Sequence, residues 1–256
     1  MNLKPLLAGS ALLLCSRALA DETVTPSAPS APSQVLSSEA DRMFPLSESA
    51  AVPGTFFRAH TVGQASTGAS AFSVGQSVEL VPVQRLSLRV TAEFNSRDGF
   101  TPTAQAKYQF LSQEAQGVNL SGGLRFKQVG FIGGESEAEA FVSAGRSFGR
   151  FLASANAVGG QSLYNANERD VEGHLSLGYQ PTDRMLLGVT GRYKQSLLPA
   201  SEAVLPGQRS FEFIAGPVVG YSFGWVDLSF QYGLYMPFRS AATGQIGVLG
   251  ANFSFF

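Results

Sequence analysis

The sequence predicts an all-β chain closed into an antiparallel, up-and-down transmembrane β-barrel of about twelve strands, and three observations carry that reading. Apolar and polar residues alternate in runs of roughly ten residues from about Gly54 to Phe256, a length that crosses a bilayer on a tilt. Short and long connections tend to alternate between the runs, and aromatic residues gather near the ends of the runs.

Residues 1–20 open with Lys4, continue through an apolar stretch from Leu6 to Cys15, and end in Ala18-Leu19-Ala20 before Asp21. That is the pattern of a secretory signal cleaved after Ala20. The stretch is too short to span a bilayer as a helix, and bulky Leu14 ahead of Cys15 argues against a lipid-modified cysteine. Because Cys15 is the only cysteine, cleavage leaves no disulfide and no thiolate chemistry. The formal net charge of −1 becomes about −3 once Lys4 and Arg17 are removed, which speaks against a nucleic-acid partner.

Residues 21–53 differ in kind. Pro26, Pro29 and Pro32 sit among Ser and Ala, which is linker composition, and a mixed stretch with Met43, Phe44 and Leu46 follows. The scarcity of apolar residues favours a periplasmic tail; the alternative is a short helix or plug inserted into the lumen.

Residues 54–256 form the barrel. The first two strands, near Thr55–Val62 and Ala69–Leu80, are blurred, and the next is clear: Leu86, Leu88, Val90, Ala92 and Phe94 share one face, Ser87, Arg89, Thr91 and Glu93 the other. The same separation recurs along Thr103–Phe110, Val118–Lys127, Val171–Tyr179, Leu187–Lys194 and Val226–Leu234. In each run the charges fall on one face, so lipid is expected on the apolar side and water on the other.

Short connections are expected at Val81–Arg85, Ser147–Arg150, Pro181–Arg184 and Gly224–Trp225. Longer ones fall at Asn95–Thr101, Val129–Ser136, Leu163–Asp170, Gln195–Ser210 and Pro237–Thr243, while Leu111–Gly117 is long for a turn. An even strand count with both termini on the side of the short turns fits this order. Two aromatic girdles follow from the same register, formed by Phe94, Phe126 and Tyr193 at one end and Phe110, Tyr179, Phe223 and Phe253 at the other. Tyr235 reaches the first end on the inner face, and Pro217 should distort the ladder around it by removing a donor.

With these features the chain resembles bacterial outer-membrane β-barrels of the small to medium, porin-like class. The resemblance implies an outer-membrane location, contact with outer-membrane lipid, and recognition by the barrel-insertion machinery through the last strand ending at Phe256. That strand departs from the family pattern, since the apolar series Leu249, Ala251, Phe253, Phe255 runs one residue out of phase with Phe256.

The inner face collects Glu79, Arg89, Glu93, Lys107, Arg125, Lys127, Glu139, Glu172, His174, Arg192, Lys194, Glu212 and Asp227. These either line a narrow pore for small polar solutes or ions, or pair with one another and fill the barrel. A filled barrel would act as a structural element or bind a partner through its outer loops, chiefly Gln195–Ser210. A remote enzymatic reading rests on His174-Leu175-Ser176, whose spacing resembles outer-membrane phospholipase A. Both side chains point to the lumen and no orienting acid is singled out, so no enzyme is expected. Nor is a metal or other cofactor, because neither His60 nor His174 is placed to join Glu137 and Glu139. A soluble β-protein with an internal apolar core would show the same alternation; the girdles, the terminal Phe and the connection lengths favour the membrane.

Overall fold

A computed structural model of the chain describes residues 40–67, 71–96, 99–131, 135–164, 168–197 and 206–255. Residues 1–39, which hold the expected signal and the proline-rich stretch, lie outside the described residues. Among the described residues no helix is long and apolar enough to cross a membrane.

Twelve strands form one closed antiparallel barrel in which each strand pairs with its sequence neighbours and β1 pairs with β12. They are β1 (Phe57–Ser66), β2 (Ala71–Val83), β3 (Leu86–Asn95), β4 (Gly99–Leu111), β5 (Asn119–Gln128), β6 (Ser136–Phe148), β7 (Phe151–Ser162), β8 (Arg169–Thr182), β9 (Met185–Ser196), β10 (Phe211–Ser222), β11 (Val226–Met236) and β12 (Gly244–Phe255). Closure matters physically, because every strand then finds ladder partners on both sides and no edge is left exposed.

The faces follow the period of two. Leu88, Val90 and Phe94 point outward, Val90 with 64% of its surface exposed, while Ser87 is buried inside. On β4 the buried residues are Gln105, Lys107 and Gln109, and Tyr108 and Phe110 are exposed. This is an inside-out arrangement relative to a soluble barrel, with polar side chains within and apolar side chains without.

One expected connection is corrected and another explained. Asn95–Thr101 is no long loop, since β3 runs to Asn95 and β4 begins at Gly99. Leu111–Gly117, the long turn, contains a single helical turn, α1 (Gln113–Gln116), capped by Gly117 in the left-handed region at φ 77°. Gln113 ties α1 to the neighbouring turn through two hydrogen bonds with the Ser147 backbone, of 2.8 and 3.2 Å. At Pro217 the pairing with β11 lapses between Ala215 and Val218 without a shift of register, and the pairing with β9 continues through it.

Outward aromatic pairs ring both ends. At the short-turn end are Phe57–Phe255, Tyr108–Phe110, Phe151–Tyr179, Tyr221–Phe223 and Trp225–Phe253. At the other end are Phe72–Phe94, Phe100–Phe131 and Tyr193–Phe211. Phe126 is also exposed on the outer wall.

The outward series of β12 is Leu249, Ala251, Phe253 and Phe255, and Ile246 and Val248 face inward and are buried. Phe256, with which that outward series runs out of phase, lies outside the described residues, and Ile246 and Val248 are apolar residues on the inner wall. They have a partner, described next.

Candidate functional site

Residues 40–53 run inside the barrel. A 3-10 turn at Ala40–Met43 leads into a loop folded back on itself, with the Asp41 carboxylate accepting from the Ala50 N–H at 2.9 Å and from the Ser49 hydroxyl at 2.7 Å. Asp41 is buried, and these bonds close the loop with a charged acceptor where the backbone has no strand partner.

The apolar side of the loop packs on the wall in two places. Met43 and Phe44 join Leu152, Leu186 and Val218, with Phe44 only 1% exposed. Leu46 packs against a second cluster of Ile214, Tyr235, Ile246 and Val248. The wall is scooped out to receive them. Gly178 and Gly188 are register partners on β8 and β9, and a Cβ added at these positions would come 3.2 and 3.0 Å from the Phe44 ring. A Cβ at Gly220 would meet the Met43 sulfur at 2.9 Å.

The polar side is held by named pairs. Asn156 on β7 accepts from the Ser47 hydroxyl (2.6 Å) and the Glu48 N–H (3.0 Å), and donates to the Glu48 carbonyl (2.7 Å). Gln109 accepts from the Val52 N–H at 2.9 Å. Arg42 pairs with Asp227 at 2.6 Å, and Asn252 donates to the Arg42 carbonyl at 3.1 Å.

Glu48 sits at the centre of the charge cluster. Arg89 grips its carboxylate with two nitrogens at 2.8 and 3.1 Å, Lys107 donates to it at 3.0 Å, and Arg125 lies 3.9 Å away. Burial alone would raise its pKa, but Arg89, Lys107 and Arg125 together hold the carboxyl well below the usual carboxylate range. Lys107 also donates to the Ser49 and Ala51 carbonyls at 3.2 and 3.3 Å. Between the loop and β1–β4 there remains a polar cavity of about 30 Å³, bordered by His60, Ser77 and Arg58, room for about one water.

On the long-connection side the lumen opens into a cavity of about 530 Å³. Glu93, Lys127, Glu137, Asp170, Arg192, Lys194 and Glu212 line it, as do Ile214 and Ile246 from the cluster beneath Leu46. Ion pairs hold most of its charges: Lys127 with Glu139 and, at 3.8 Å, Glu137, Arg192 with Glu212, and Lys194 with Asp170 at 2.5 Å.

The thirteen inner-face residues named from the sequence thus fall into distinct groups. Glu79, Arg89, Lys107, Arg125 and Glu139 surround the loop, and Asp227 anchors Arg42. Glu93, Lys127, Arg192, Lys194 and Glu212 border the cavity, whereas Glu172 and His174 contact each other on β8. Ser176 is fully buried and shares a 2.7 Å hydrogen bond with Thr190 rather than with the imidazole. Glu48, Asp41 and Asn156 were missed, and Met43, Phe44 and Leu46 lie inside the barrel as in the plug alternative, not in the favoured periplasmic tail. The signal that could have found their docking surface is the set of apolar residues on the polar face, Leu152, Leu186, Ile214, Val218, Ile246 and Val248, which a water-filled lumen does not require.

No protein-family model and no curated protein matches the chain. Solved structures do match it in fold. The NanC porin superposes with a TM-score of 0.62 at 8% identity, over 77% of this chain and 100% of that one. The KdgM porin in complex with disordered oligogalacturonate gives 0.57 at 9% identity, over 78% and 99%. An outer-membrane channel from Pseudomonas putida F1 gives 0.55 at 13% identity, over 80% and 97%. The fold is that of porin-like bacterial outer-membrane barrels.

Proposed function

We propose that the protein is an outer-membrane channel for small polar solutes or ions, closed in the described conformation by its own residues 40–53. The observation that carries this reading is the charge-lined cavity of about 530 Å³, whose floor shares Ile214, Tyr235 and Ile246 with the cluster that holds Leu46 of the loop. A barrel meant only as a solid scaffold gains nothing from an open half, and ion pairs facing water there cost little to reorganise. The fold shared with the NanC porin and the Pseudomonas putida channel supports the same assignment.

The purified chain added to a planar bilayer is expected to give rare, small openings, and a variant lacking residues 40–53 to give frequent, larger steps. The competing reading, a closed barrel that binds a partner through connections such as Gln195–Ser210, draws on the filled lower lumen and predicts silence from both proteins. Silence from a correctly folded deletion variant overturns the channel.

A further inference from the structure

The strand register places the charges around Glu48 on one line of partners across five strands. Glu79 on β2 is paired with Arg89 on β3, Arg89 with Gln105 on β4, Gln105 with Arg125 on β5, and Arg125 with Glu139 on β6. Read around the wall, this rung is acid, arginine, glutamine, arginine, acid, and Lys107 lies one inward-facing step nearer the short turns. Each arginine is steadied from outside the centre: Arg89 by Glu79 at 3.2 Å, and Arg125 by Glu139 at 2.9 Å, by Gln105 at 2.9 Å, and by the Phe141 ring at 5.5 Å. Such support fixes both guanidinium groups in position to face an anion between them.

Charge balance at the rung depends on what occupies that central position. With Glu48 seated, three carboxylates face Arg89, Lys107 and Arg125; without it two remain, and the carboxylate left to Lys107, 1% exposed, is Glu79 at 3.8 Å, beside the neutral Ser49 and Ala51 carbonyls. A buried ammonium with so distant a partner favours any anion able to reach it.

We propose that this rung is a carboxylate-binding station of the barrel wall, that Glu48 is its built-in occupant, and that a small carboxylate-bearing solute entering the lumen displaces Glu48 and releases the loop. The station itself needs only the wall; the route by which the solute arrives rests on the channel reading above.

The test uses the full chain in detergent with Cys15→Ser and Ala51→Cys, so that labelling by a neutral maleimide reports release of the loop. Glu48→Ala should speed labelling at least about tenfold, because it leaves the three cations without their central partner. Sodium acetate at ~0.1 M should slow that variant several-fold relative to sodium chloride of equal ionic strength, and adding Arg89→Gln should abolish the difference. Acetate and chloride acting alike overturns the station. In the chain that keeps Glu48, citrate should speed labelling over chloride at matched ionic strength, an arm that needs no change at the site. Citrate and chloride acting alike there overturns displacement. Conductance is read separately: a carboxylate effect on labelling with a silent deletion variant keeps the station and sinks the channel, and the converse pattern does the opposite.

Discussion

At the scale of single residues, the inner wall works by complementarity of size as much as by charge. Phe44 fits because Gly178 and Gly188 present backbone alone where any other residue would present a side chain, and because Leu186 and Val218 close the sides. Phe44→Ala removes a fully buried ring, which costs about 3–5 kcal/mol in a well-packed core. Here that loss falls on loop docking and spares the strand ladder. The expected outcome is a barrel with unchanged β-sheet circular dichroism whose residues 40–53 become sensitive to protease, and protection equal to the parent protein refutes it. Glu48 was illegible beforehand, and Phe44 legible only through the plug alternative, for a definite reason. One acid and three or four apolar residues cannot bury themselves, and nothing in a local pattern announces a surface that belongs to strands more than a hundred residues away.

At the scale of elements, the strands were legible because a barrel wall imposes a period of two that no other contact overrides. Arg89 and Val90 could be sent to opposite faces from the sequence alone. What could not be read was lateral partnership, since a rung such as Glu79, Arg89, Gln105, Arg125, Glu139 exists only once the register of five strands is known. The docked loop is the element whose behaviour should depend on pH. Its Glu48 carboxyl is held below the ordinary range, so the stabilisation it provides is complete above that range and is lost as pH falls through the lowered folded value. Divided by the rate of a free cysteine thiol at the same pH, labelling of the Ala51→Cys chain should stay flat from about pH 7 to 5 and rise below that. The Glu48→Gln chain should label faster throughout and lose the part of the slope that belongs to Glu48; an unchanged slope removes Glu48 from the mechanism.

At the scale of the whole molecule, the barrel is a circle closed by its first and last strands. The seam runs over ten register pairs from Phe57 with Phe255 to Ser66 with Ile246, with the Phe255 ring tilted against Phe57 on the outside while Ile246 and Val248 serve the loop inside. Thr61 and Ala251 are partners in mid-seam on the outer face, within reach of a disulfide if both become cysteine. In a Cys15→Ser background, Thr61→Cys with Ala251→Cys should cross-link under mild oxidation, tying nearly the full length of the barrel into one loop. A cross-link of that span restricts the unfolded chain by an amount that grows with loop length, about 5 kcal/mol in the chain-entropy estimate. The oxidised protein should therefore keep its fast, folded mobility in detergent gels to a higher temperature than the reduced protein, and after boiling should still run faster than the reduced chain. A pair that fails to oxidise while the protein remains folded would mean that β1 and β12 do not meet in this register, and would leave open an edge on which both the barrel and the loop inside it depend.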